Sequence, residues 1–215
     1  MKTYLKIGVT AVVLGMVTVW AWGAKEFSMP EARTAKTYPA HDEHSMEKVT
    51  IAVDPYDTAA KAKIFNTKYG EIGFLPLYLV VTNDGDQPIA LSDMKAEYVT
   101  SDRTKTQPAT EADIQRRLSR PQARTTPSPL PFPTKKVKGG LSEQAREEIH
   151  NSRFAAQAIE PHTTHSGFLF FDISGITEPV AGAHLYLTGV RDANGKELMY
   201  FDISLDDYLQ PPADH

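Results

Sequence analysis

A chain of 215 residues, 41% of them hydrophobic, carries enough apolar material for one domain with embellishments. Its formal net charge of -4 points to no strongly charged partner, and its 15 prolines and 13 glycines argue for many turns over long helices. The absence of cysteine excludes disulfides, thiolate metal ligands, thiol nucleophiles and a lipid-modified N-terminal cysteine together.

Residues 1–23 have the layout of an export segment. Lys2 and Lys6 form a positive start, Ile7 to Trp22 is uncharged and rich in Val, Leu and Ala, and Ala21-Trp22-Gly23 offers a cleavage site. Trp20 and Trp22 also sit where an interfacial aromatic belt would lie, so a cleaved signal and an uncleaved anchor both fit. Removing residues 1–23 takes away two lysines and no acid, moving the formal charge from -4 to -6. The expected location is therefore periplasmic or extracellular, with residues 7–22 as the anchor if one is retained.

Residues 24–47 are polar and aperiodic, which predicts a tether. The main domain is expected over 48–209, with a tail at 210–215. Val49 to Val53 alternates as a first strand, and Ala59 to Phe65 fits a short helix or an irregular strand. Phe74 to Thr82 (FLPLYLVVT) is the strongest strand signal, closed by the turn Asn83-Asp-Gly-Asp86. Pro76 near its start predicts an edge position or a bulge. Short strands follow at Ile89 to Leu91 and Met94 to Thr100.

An insertion is expected over about 103–151. Thr110 with Asp113 has capping-box spacing for a helix through Leu118, and Leu141, Ala145 and Ile149 recur at four-residue spacing in a second helix from Ser142 to about Asn151. Between them lies a proline-rich, basic stretch. Arg116, Arg117, Arg120, Arg124, Lys135, Lys136 and Lys138 form a run without an acid, suited to an anionic membrane surface or a protein partner. A strand over Gly167 to Ile173 follows, with Phe168 to Phe171 filling both faces, which predicts a central strand covered on each side. A hairpin then closes the domain, His184 to Val190 and Leu198 to Ile203, with Asn194-Gly195 in its turn. Seven or so short strands argue for an antiparallel sandwich.

The order GFLPLYLVVTNDGDQPIAL, then IEPHTTHSGFLFFDI, then an Asn-Gly hairpin resembles exported bacterial immunoglobulin-like β-sandwich domains of unknown function. The likeness spans Val49 to Ile203 outside the insertion. It departs at His162, where those domains often carry Gly after the proline. It implies an all-β, immunoglobulin-like antiparallel sandwich serving as an interaction or scaffold module, with no shared catalytic set.

Chemistry is sparse. His41 and His44, with Asp42, Glu43 and Met46, and the pair His162 and His165 are the candidate metal ligands, histidine with methionine suiting copper and histidine with carboxylate suiting zinc, nickel or copper(II). Neither pair is the H-E-x-x-H of a zinc protease. Asn83 to Asp86 and Asp192 to Gly195 resemble pieces of calcium loops but read as hairpin turns. There is no G-x-S-x-G elbow and no phosphate loop, and the adjacent acids Glu147-Glu148 and Asp206-Asp207 point to different sides of their elements. The expectation is a non-enzymatic envelope module with no cofactor. A periplasmic histidine-based metal binder is the alternative and an envelope hydrolase comes third. Nucleic acid is not expected, because export removes the opportunity.

Overall fold

The computed structural model describes residues 26–119 and 141–210. The strands are β1 (His41–His44), β2 (Val49–Pro55), β3 (Phe74–Asn83), β4 (Ile89–Ala90), β5 (Lys95–Val99), β6 (Lys105–Thr106), β7 (Ala158–Ile159), β8 (Thr163–Asp172), β9 (His184–Thr188) and β10 (Phe201–Ser204). Four helices accompany them: α1 (Ala59–Ala62), α2 (Glu111–Ser119), α3 (Glu143–Ser152) and α4 (Asp206–Leu209). One antiparallel sheet has the order β1-β2-β3-β8, a second has β10-β9-β5-β6, and β4 pairs with β7. The chain is mostly β, with antiparallel sheets and few helices.

All ten residues of β3 are buried, because both of its faces are covered. Its odd-numbered side chains Leu75, Leu77, Leu79 and Val81 join Ile51 and Val53 against Tyr98, Leu185, Leu187, Phe201 and Ile203 of the second sheet. Its even-numbered side chains Phe74, Tyr78 and Val80 join Phe168 and Phe170 of β8 in a second core on the opposite face. Period-two alternation therefore feeds two cores from one strand.

The second core needs a cover, and two segments supply it. Ile114 of α2 and Ile149 of α3 are fully buried there. The α2 capping box forms as its sequence predicts: Asp113 N donates to Thr110 Oγ1 (3.2 Å) and Thr110 N donates to Asp113 Oδ2 (3.0 Å). Ser142 caps α3, its Oγ accepting from Ala145 N at 3.2 Å.

The other cover corrects the expected tether. Residues 26–47 are packed: Ala35, Tyr38 and Ala40 are buried, Phe27 stacks on Phe65 at 5.5 Å, and Tyr78 Oη donates to the Pro30 carbonyl at 2.7 Å. His41 to His44 pairs with β2. The apolar residues of this segment follow neither helical nor strand period, so only the waiting face of the sheet reveals their use.

Pro76 lies in β3 opposite Phe170, without a bulge; toward β2 it sits one residue past the end of the paired ladder, which stops at Pro55 and Leu77. Its carbonyl accepts from Tyr56 N at 2.9 Å, and its nitrogen faces the same way, just past the Pro55 end of β2. Having no N–H, Pro76 leaves out one of the two bonds that it and Tyr56, the residue opposite it, would otherwise exchange.

β8 is last in its sheet, yet its outer edge is not bare. Phe154 N donates to the Phe168 carbonyl (3.1 Å) and Ala109 N to the Phe170 carbonyl (2.7 Å). That approach explains Gly167: a Cβ there would lie 2.4 Å from Phe154 Cα, backbone that cannot swing aside. The closing hairpin carries Gly195 at φ 80°, as its Asn-Gly turn requires.

Gly167→Ala is expected to lower the unfolding free energy by ~1–3 kcal/mol, the usual cost of overpacking. Urea denaturation checks this, and an unchanged midpoint would show that the 153–154 segment is not held against β8.

Candidate binding cleft

The histidines do not converge. β1 and β8 stand at opposite ends of their sheet, three strand spacings or roughly 14 Å apart, so the His41/His44 and His162/His165 pairs cannot share an ion. His41 Nδ1 lies 2.7 Å from the Tyr38 carbonyl, and His44 stacks on Phe201 with ring centroids 3.8 Å apart. His162 Nε2 faces Asp86 at 3.3 Å, whereas His165 Nε2 faces Glu160 at 3.5 Å. Among the described residues no group of three or more histidine or carboxylate side chains is placed to hold a metal ion.

His162 has a different distinction. Its φ is 58°, in the left-handed region where glycine costs nothing and other residues are strained. Nearby, Asn83 is fully buried at the start of the turn; its Nδ2 donates to the carbonyls of Gln87 (2.8 Å) and Ile159 (3.1 Å). The turn is thus tied to β7 by an amide.

The basic run divides. Arg120, Arg124, Lys135, Lys136 and Lys138 lie outside the described residues, as does the expected export segment 1–23. Arg116 pairs with Asp113 at 3.2 Å within α2. Arg117 reaches the sheet instead: its guanidinium bonds Asp172, donates to Ser174 Oγ at 2.7 Å and to the Ile72 carbonyl at 3.3 Å, and sits over the Phe74 ring at 5.2 Å. Partial burial opposes ionisation of Asp172, but the hydrogen bonds from Ser174 and the charge of Arg117 outweigh it, holding its carboxyl below the usual carboxylate range. Arg117 is therefore a clamp between α2 and the β3–β8 end of the sheet.

Beside that clamp opens a cleft of about 690 Å³. Tyr56, Phe65, Tyr69 and Phe74 supply aromatic walls, and Pro76 and Ile173 add aliphatic surface. The cleft exists because β2 stops at Pro55 while β3 begins with Phe74, and the intervening chain swings away through α1 and a 3₁₀ turn at Tyr69–Ile72. Gly73 ends that turn at φ 83°.

The far wall is held by an acid whose role its sequence conceals. Glu148 of α3 is buried, and its carboxylate accepts from Asn66 N (2.6 Å) and Thr67 N (3.0 Å). A buried carboxylate needs such donors; here they fix the loop bearing Phe65 and Tyr69. Burial, and then the Glu148 charge, push the Tyr69 hydroxyl above the ordinary tyrosine range. On the near side, Lys61 donates to Asp54 Oδ1 (2.5 Å) and to the Pro55 carbonyl (3.0 Å), with the Tyr208 ring 4.2 Å from its Nζ. Volume and aromatic lining are ordinary attributes of a binding site, and polar residues such as Asp57, Lys63 and Glu71 share the lining. Nearly all the residues that line it lie between Tyr56 and Pro76, joined by Ile173 and Pro179, and they carry no motif.

Comparison with known proteins adds no neighbour: no family model matches the chain, and no curated protein or solved structure matches it. Among the described residues no helix is long and apolar enough to cross a membrane.

His162→Gly is expected to leave stability within ~0.5 kcal/mol of the parent, relief of left-handed strain offsetting glycine's greater unfolded-state freedom. His162→Val should lose ~1–2 kcal/mol, since a β-branched residue fits that backbone worst. Thermal unfolding of the pair measures both, and equal losses would contradict the strain argument. For Asp172, a depressed folded pKa means stabilisation present above its unfolded value of about 4 and lost as pH falls through the folded one. Asp172→Asn should accordingly flatten the stability profile below about pH 4; a profile parallel to the parent's would exclude the clamp.

Proposed function

We propose that this chain is an exported, envelope-exposed interaction module without catalytic activity, built on an immunoglobulin-like β-sandwich. The sandwich reading is supported by two antiparallel sheets sharing one core and by the hairpin of β9 and β10 that closes the second sheet. Residues 1–23 support export, through their charged start and uncharged run.

The observation that carries the reading is the aromatic cleft between the ends of β2 and β3. Its walls are shaped and anchored by Glu148 and Arg117, while three pairs of charges around it are engaged structurally, Lys61 with Asp54, Lys68 with Glu71 and Arg117 with Asp172, and Lys63 stands apart on the rim. An acid–base reaction calls for titratable groups aimed together at one point. The cleft instead presents apolar surface with a polar rim, the anatomy of recognition. The partner is a protein of the envelope; the basic stretch between α2 and α3 adds attraction to anionic headgroups and brings the module near the membrane surface.

A photo-crosslinking residue at Ala59, which is exposed and lines the cleft, is expected to give a discrete crosslinked protein in intact cells. The same residue at Met46, 94% exposed beyond the opposite end of β2, should give none. Equal crosslinking at both positions, or a chain recovered only from the cytoplasm, would overturn the module.

A further inference from the structure

The floor of the cleft carries a feature that aromatic walls alone do not explain. In an antiparallel pair, residues alternate between bonding one neighbouring strand and the other. Ile173 N donates to the Gly73 carbonyl at 2.9 Å, so Gly73 faces β8 and Phe74 faces the opposite way, toward β2. The bond from Tyr56 N to the Pro76 carbonyl confirms the alternation. Continued in register, β2 would set Thr58 opposite Phe74. Thr58 has left the sheet: it caps α1, its Oγ1 accepting from Lys61 N (3.3 Å) and its carbonyl from Ala62 N (2.9 Å). Among the described residues the Phe74 amide and carbonyl have no partner on that side. Phe74 is only 2% exposed, and backbone groups left unpaired at such depth are rare and costly.

We infer that the cleft binds an extended peptide, whose backbone completes the sheet at the place that Thr58 vacates. One peptide residue would exchange two hydrogen bonds with Phe74, and its neighbours would set apolar side chains against Tyr56, Phe65 and Tyr69. The same two groups decide against a lipid chain, which would fill the volume and leave both unsatisfied. Charge adds a preference. Lys63 lines the rim, is exposed and makes no ion pair among the described residues, so an acidic residue flanking the docked one is favoured.

The inference rests on the module reading, and its test separates the two. A phage-displayed library of random heptapeptides is panned on the full chain held in nanodiscs. Enriched peptides, apolar with an acidic flank, are expected to bind the full chain at least tenfold more tightly than the Ala62→Trp variant, which fills the cleft from an exposed position and spares the core. Methylating the peptide nitrogen at one residue should weaken binding tenfold, and methylation elsewhere little. Binding should also slow hydrogen exchange at the Phe74 amide. Failure to enrich any heptapeptide, equal binding to both proteins, or indifference to every methylation would overturn the peptide assignment. If crosslinks at Ala59 persist in that case, the module stands with a different ligand; if they are absent as well, both readings fall.

Discussion

The constraint on which the rest depends is that β3 is buried on both faces. A half-buried strand needs one partner layer; this one needs two. The second sheet is the first layer, bringing Tyr98, Leu185 and Phe201 against its odd-numbered residues. The second layer has to come from elsewhere in the chain, and α2, α3 and residues 26–40 supply it. What reads as a tether and an insertion is therefore as necessary to the core as the strands are. Ile114 and Ile149, one from each helix, are as completely buried as Leu77 and Leu79.

The same constraint arranges the cleft. Because the helical layer lies against the even-numbered face, α3 can send Glu148 to the loop at Asn66 and Thr67, and α2 can send Arg117 past Phe74 to Asp172. Both are charged residues spent on position. The carboxylate accepts two backbone amides, so its desolvation is offset by charge-assisted hydrogen bonds, and the guanidinium divides its donors among a carboxylate, a hydroxyl and a carbonyl.

Legibility in the sequence depends on range. The strand at Phe74, the Thr110–Asp113 box, the Ser142 cap and the Asn-Gly turn are written in residues a few positions apart, and each forms. The strand at Phe168 was legible as covered on both faces, yet its place at the end of the sheet order was not, because the Phe154 and Ala109 amides that cover its edge act over distance. Residues 26–47 failed for a related reason: Phe27 and Tyr38 have no periodicity, and their use depends on a face built by β3 and β8. The histidine pairs drew attention as close neighbours in sequence, but sheet order sets the two pairs apart. The cleft was illegible altogether, since it is defined by where β2 stops.

Where β2 stops sets how short the open edge beside it is. Pro55 ends β2, and alternation points its nitrogen toward β1, beyond the first β1 residue. Pro76 turns its nitrogen toward Tyr56, the residue opposite it, and an ordinary residue at 76 would donate to the Tyr56 carbonyl and close that pair. With the Pro76 carbonyl taken by Tyr56, the open ladder consists of the two groups of Phe74. An edge that short gives little affinity and resists indiscriminate pairing with other strands. Discrimination then falls to the walls, to the fit of side chains against Tyr56, Phe65 and Tyr69, and so to the Glu148 and Arg117 clamps that hold those walls in place.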